Sequence, residues 1–189
     1  MALLILVKHS LPEIDRNVPA SQWLLSDDGQ RRCGALAAAL EAYRPAAVVS
    51  SAEPKATETA QRLVAAWGIS YHVVPGLHEH RRETVGWLER PAFEAAVQNF
   101  FERPAERVFG EETGMDARQR FAAAVDAAIT AHANQRVVIV AHGTVIALHA
   151  AAVAGLDVFA LWQRLGLPSF VVLEPATRRV VQVVEALEA

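Results

Sequence analysis

Two brief runs of aliphatic and β-branched residues, Leu3 to Val7 and Val137 to Val140, each lead within a few residues to a histidine, His9 and His142. The runs are continuous, without the polar alternation of a half-exposed strand. Such runs suit strands buried on both faces, which is the condition of a parallel sheet covered by helices. A third run, Ala46 to Val49, leads into Ser50 and Ser51. Three buried strands, each followed by polar residues, leave the chain few architectures other than an open α/β sheet.

The stretches between the runs carry helical spacing. Leu36, Leu40 and Tyr43 recur at the helix period after Ser26-Asp27-Asp28-Gly29. Ser26 is the expected N-cap, and two acids in the first turn favour the helix dipole. Thr57 to Trp67 predicts a second helix, stopped by Gly68. Ile69 to Val74 alternates like a strand and ends at Pro75-Gly76. From Leu77 to Gly114 the sequence becomes more charged, and Pro91 and Pro104 bracket a helix through Phe93 and Phe100. We read this stretch, about 77–114, as a cap beside the sheet within a single domain over 1–189. Arg118 to His132 predicts a long helix, and a further helix follows Gly143. Ser169 to Leu173 and Arg179 to Val184 predict a closing strand pair turning around Pro175. The expected fold is a three-layer α/β/α sandwich with a mostly parallel central sheet.

Bulk properties narrow the function classes. Of 189 residues, 52% are hydrophobic, so a substantial core is available. The formal charge of -3 opposes nonspecific nucleic-acid binding through counterion release. Cys33 is the sole cysteine, which excludes an internal disulfide and a cysteine metal cluster; in a helix it serves as a small buried hydrophobe. The opening Met1 to Ser10 is too short for a membrane span and lacks the pattern of a secretory signal. The expected location is the cytoplasm, with no membrane or nucleic-acid partner.

In open α/β sheets, ligands bind at the carboxyl ends of the strands. That rule gathers Lys8-His9-Ser10, Ser50-Ser51 and His142-Gly143 on one rim. Phosphoryl transfer needs a nucleophile, positive charge for the phosphate oxygens and a proton donor for the leaving oxygen. A neutral imidazole at His9 can attack phosphorus, Lys8 can supply charge, and His142 can hydrogen-bond the phosphoryl oxygens. The helix after Gly143 can add backbone N–H groups. No G-x-S-x-G elbow and no Walker or dinucleotide loop is present, which disfavours serine hydrolases and nucleotide-binding folds. His78-Glu79-His80 allows a metal reading, but no further ligand is spaced nearby, so no metal is expected.

The same residues resemble the histidine phosphatase superfamily, the phosphoglycerate mutase-like proteins. Leu6-Val7-Lys8-His9-Ser10 stands where the family has a strand ending in Arg-His-Gly. Leu25-Ser26-Asp27-Asp28-Gly29-Gln30 resembles the family's next block, with the glutamine displaced. Ser50-Ser51-Ala52-Glu53-Pro54-Lys55-Ala56-Thr57-Glu58-Thr59-Ala60 resembles its Ser-Ser-x-x-x-Arg-Ala-x-x-Thr-Ala segment. Leu77-His78-Glu79, Gly86-Trp87-Leu88-Glu89 and Val140-Ala141-His142-Gly143 complete the series, in order and over nearly the whole chain. The resemblance implies that His9 is a phosphorylated nucleophile and His142 the second pocket histidine. It puts Lys8 and Lys55 at two phosphate-binding arginine positions. Glu79 falls at the position of the proton donor that later serves as base for water. It implies a phosphomonoesterase more than a mutase, a small phosphorylated substrate, no cofactor and an association often dimeric.

The departures are specific. Two arginines are replaced by lysines, which keep charge but lose the planar fork that grips two oxygens. Ser10 replaces a glycine beside the nucleophile, and Asp15 stands where some members have an asparagine; a carboxylate there is expected to point away. Ser10, Arg81 and Arg82 are weaker candidates for substrate contact, and for the two arginines the reading as solvated charges of the cap is slightly favoured over contact with a substrate's distal anionic group. Ser50 and Ser51 are expected to shape the loop that carries Lys55. Trp87, Phe93, Phe100, Phe101 and Phe109 fit either a substrate entrance or a small core for the cap. A protein of the same fold that binds a phosphate ligand with little catalysis is the alternative function.

Overall fold

The computed structural model describes residues 3–188. The three apolar runs form β1 (Leu4–Lys8), β2 (Ala47–Ser50) and β4 (Val137–Ala141); β3 (Tyr71–Val73) lies at one edge, and β5 (Ser169–Glu174) and β6 (Arg179–Val184) close the other. The order is β3-β2-β4-β1-β5-β6. The first four strands pair in parallel, and β5 runs antiparallel to both of its neighbours, so the sheet is mixed and mostly parallel.

Alternation within the continuous runs explains the layers. Leu4, Leu6, Val137 and Ile139 face a core shared with α4 (Gly114–Ala131), α5 (Gly143–Ala154) and the cap helix α3 (Arg90–Glu102). Ile5, Val7, Val138 and Val140 face the opposite core, with Leu36, Leu40, Ala60 and Leu63 of α1 (Asp27–Glu41) and α2 (Pro54–Trp67). Successive side chains of a strand point to opposite faces, so a run buried on both sides must be apolar throughout.

Local signals decide most boundaries. The Ser26 hydroxyl accepts from the Gly29 N–H, capping α1 as expected, and Gly68 ends α2 in the left-handed conformation. Two helices begin earlier than their apolar spacing suggests. α2 starts at Pro54, whose fixed φ suits the first helical position, so Lys55 belongs to the first turn of a helix rather than to a loop. α4 starts at Gly114 because Thr113 and Asp116 form a reciprocal capping box. The short helix α6 (Val158–Arg164), capped by Asp157, has too few turns to declare itself by periodicity.

The aromatic residues of the 77–114 segment go two ways. Phe100, Phe101 and Phe109 are buried in the α3–α4–α5 core with Phe93 packed against them. Trp87 stays exposed, with the Arg16 guanidinium 4.6 Å from its ring centroid and Trp23 at 6.1 Å. Among the described residues, no helix is long and apolar enough to cross a membrane.

Candidate active site

Strand register builds the site. Lys8 pairs with Ala141 across the β1–β4 ladder, and the His9 N–H donates to the Ala141 carbonyl at 3.0 Å. The residues that follow, His9 and His142, therefore leave adjacent strands at the same level. Their ring centroids lie 5.2 Å apart. Ser50 pairs with Val140, which brings Ser51 alongside: its hydroxyl lies 2.8 Å from His142 Nε2. A cavity of about 170 Å³ opens here, lined by His9, His142, Glu53, Lys55, Glu79 and Arg82, with the Ala20 and His78 segments at its sides. A larger groove of about 680 Å³ lies at the opposite end of β1, beside Leu4, and none of the strand-end residues lines it.

His9 Nδ1 is 2.7 Å from the Ser10 carbonyl. A carbonyl only accepts, so this contact places the ring proton on Nδ1 and leaves the Nε2 lone pair free. Burial, followed by the nearness of His142 and Lys55, pushes the imidazole well below its ordinary range. His142 is lowered in the same direction, by burial first and Lys55 second. Its Nδ1 is buried without a partner. Both rings are therefore neutral at pH 7, and His9 is in the form that can act as a nucleophile.

Glu79 reaches the amino terminus of α5. Its carboxylate accepts from the Thr144 N–H at 3.1 Å, the Val145 N–H at 3.3 Å and the His80 N–H at 2.9 Å. Burial alone would raise this carboxyl, but the contacts with His80 and the nearby Arg82 guanidinium outweigh it and hold Glu79 well below the usual carboxylate range. The resting group is thus a base. The same contacts correct the expectation that the α5 amides cradle a phosphate, because the Thr144 and Val145 N–H groups already face Glu79. Gly143 matters here for space: a Cβ would sit 3.0 Å from Lys8 Cε and 3.2 Å from its Nζ.

Two further expectations need correction, and the two readings of Arg82 are separated. Lys8 does not line the cavity; its Nζ donates to the Leu165 carbonyl at 2.6 Å, and burial pulls the ammonium down to about 8. Ser10 faces away, its hydroxyl donating to the Gly29 carbonyl at 2.7 Å and its N–H to Thr59 Oγ1 at 3.0 Å. It anchors the turn after β1 to α1 and α2, which is why a serine is accommodated beside His9. Arg82 is no solvated cap charge, because it lines the cavity over the rings of Phe93 and Phe109. Arg81 lies at the exposed rim, and Asp15 turns outward to bind the Asn17 N–H at 2.9 Å.

Other residues of the site carry no sequence signal. Glu53 places one oxygen 2.5 Å from Lys55 Nζ; the other is 3.4 Å from His142 Nε2 and accepts the Glu79 N–H at 2.8 Å. Lys55 also donates to the Ala20 carbonyl. Arg120 donates to the carbonyls of Gly76, His78 and Glu79 and pairs with Glu112 at 2.5 Å, clamping the segment that presents Glu79. Glu53 stands at a variable position of its motif, and Arg120 lies far along the chain in a helix of ordinary composition.

The model of the histidine phosphatase superfamily, branch 1, matches residues 4–186. The chain belongs to that superfamily. Solved structures of histidine phosphatases and similar hydrolases share the fold. A mycobacterial glucosyl-3-phosphoglycerate phosphatase is 24% identical, with a TM-score of 0.76 over 98% of this chain and 99% of its own. The vanadate-bound form of that enzyme aligns at 26% identity and TM-score 0.75, covering 98% of this chain and 100% of the other. A histidine-to-alanine variant of the Entamoeba histolytica phosphoserine phosphatase, in complex with phosphoserine, is 16% identical at TM-score 0.77, covering 100% and 98%. No curated protein sequence matches. His9 and His142 stand at the carboxyl ends of β1 and β4.

Proposed function

We propose that this histidine phosphatase homologue is a phosphomonoesterase that acts on a small phosphorylated metabolite through a phosphohistidine at His9. The observation that carries the reading is the His9 ring itself: neutral, with its proton fixed on Nδ1 by the Ser10 carbonyl and Nε2 free in a cavity shared with His142. In the first step Nε2 attacks phosphorus, the P–O ester bond breaks and the leaving oxygen departs with the bonding pair, an alkyl oxygen taking a proton from solvent water. In the second, Glu79 takes a proton from water as the water oxygen attacks phosphorus. The P–N bond breaks, phosphate leaves, His9 returns to its neutral form and Glu79 gives its proton back to solvent. Cationic side chains supply the charge balance, so neither step calls on a metal or cofactor. The cavity, at about 170 Å³, matches a phosphoryl group better than a whole metabolite, so the leaving group extends past Arg81 and the Ala20 segment. Proteins of the same fold are named for phosphorylated compounds as different as glucosyl-3-phosphoglycerate and phosphoserine, so the fold selects no single substrate.

Because Glu79 rests as a carboxylate, an aryl phosphate is the appropriate probe: its leaving group needs no proton. With p-nitrophenyl phosphate we expect a burst of nitrophenolate equal to the enzyme present. Labelled phosphate should be trapped on His9 by alkaline quench and released by acid. Steady turnover without any trapped label, or label on another residue, would rule the mechanism out.

Glu53 bears on a second reading, a phosphate-ligand binding or regulatory protein with little turnover, because it restrains the site. Its carboxylate occupies Lys55 and approaches His142, the groups an incoming oxyanion needs. Glu53→Gln retains an oxygen to accept the Glu79 N–H but removes the negative charge. We expect orthophosphate to bind this variant about tenfold more tightly, the equivalent of roughly 1.4 kcal/mol. Titration calorimetry checks this, and weaker binding would mean that Glu53 serves the site as a charged partner of Lys55. Tighter binding with no turnover of any ester would favour the regulatory reading.

A further inference from the structure

The positive groups of the cavity are not equally available to a ligand. Lys8 donates to the Leu165 carbonyl, and Lys55 is held by Glu53 and the Ala20 carbonyl. Arg82 differs from both. Its Nη1 is buried with no hydrogen-bond partner, and no ion pair joins it to a carboxylate among the described residues. A buried, unpaired guanidinium N–H is costly unless something outside the chain completes it. Phe93 and Phe109 support the plane, with the guanidinium carbon 4.9 and 5.7 Å from their ring centroids.

The backbone beneath Arg82 is also fixed. Gly110 packs so closely on this segment, at φ +95°, that a Cβ would fall 2.2 Å from the Arg81 carbonyl. The Glu111 N–H donates to that carbonyl at 2.8 Å, and the Glu111 carboxylate accepts from the Glu83 and Thr84 N–H groups. Glu112 accepts the Arg81 N–H at 2.9 Å. Three consecutive residues thus clamp the segment on either side of Arg82, so the fork is preorganised instead of being ordered by the ligand.

We propose that Arg82 is the residue that grips the phosphoryl oxygens, holding the group in line for His9 with the planar fork that neither Lys8 nor Lys55 provides. This rests on the phosphomonoesterase reading and assigns the orienting contact to the cap segment rather than to the residue before the nucleophile. A guanidinium matches two oxygens of a phosphoryl group in one plane, whereas an ammonium is a point charge. Nη1, unpaired within the chain, is the donor that a phosphoryl oxygen meets.

The test compares wild type with Arg82→Lys and Arg82→Met, using orthovanadate inhibition and the kcat and KM of p-nitrophenyl phosphate. Arg82→Met should weaken vanadate and raise KM by about a hundredfold, and Arg82→Lys by about tenfold although it keeps the charge. Equal thermal midpoints separate this loss from damage to packing; if the Met variant fails to fold, the Lys variant, with its stem and charge kept, still decides. Vanadate affinity within twofold of wild type in Arg82→Lys overturns the proposal. If wild type labels His9 while the Arg82 variants bind normally, the proposal fails and the enzyme reading stands. If wild type never labels but binds orthophosphate in an Arg82-dependent way, the contact stands and the enzyme reading fails.

Discussion

Replacing His9 with alanine is expected to lower turnover of p-nitrophenyl phosphate by at least roughly a thousandfold, or about 4 kcal/mol of transition-state stabilisation. The size follows from the proposed role: an imidazole whose Nε2 lone pair is left free by the Nδ1 contact with the Ser10 carbonyl forms a covalent intermediate that water at the same site does not. His142 lies 5.2 Å away by ring centroid, but its Nε2 is engaged with Ser51 at 2.8 Å. Glu79 is held by three backbone N–H groups. The variant should fold, since His9 uses its side chain only to meet the Ser10 carbonyl. It should also bind orthophosphate, because Arg82, Lys55 and His142 remain. Single-turnover kinetics with a matched thermal midpoint measure the effect. A loss below tenfold would place the nucleophile elsewhere.

Phe100→Ala is expected to destabilise the protein by about 3–5 kcal/mol, lowering the melting midpoint by roughly 6–20 °C. Phe100 is fully buried on α3, among the residues that pack the cap against α4 and α5. Its ring lies 4.5 Å from the buried ring of His80, and His80 adjoins Glu79 in both sequence and contact. The cavity left by alanine therefore opens beside His80, the neighbour of the carboxylate proposed as base. Phosphohistidine hydrolysis should slow more than its formation, since Glu79 acts in the second step. Urea unfolding gives the stability change, and pre-steady-state labelling gives the step. An unchanged midpoint would mean that α3 contributes little to the main core.

The two variants separate what the chain declares locally from what it declares only when folded. The runs Leu4–Lys8 and Val137–Ala141 are legible because a strand buried on both faces must be apolar at every position, and the histidines that follow must then sit at the sheet's carboxyl edge. Ser26 at the start of α1 and Gly68 at the end of α2 act within one helical turn, so they too are readable. The start of α4 depended on the reciprocal Thr113–Asp116 cap, which apolar spacing does not reveal.

The direction of each charged side chain was not readable, for a physical reason. Lys8 ends on the carbonyl of Leu165, 157 residues away, and Ser10 on that of Gly29, 19 residues away. Arg82 enters the cavity because Phe93, Phe109 and the 110–112 turn hold it there. Long polar side chains settle where distant backbone and charge satisfy them, and no spacing rule encodes that choice. The mostly parallel sheet, the two histidines at its edge and the order of the motifs follow from residue patterns alone. That Arg82 and Glu53 face the cavity while Lys8 and Ser10 turn away was settled by folding, because those contacts exist only once the strands are paired and the 77–114 segment is packed.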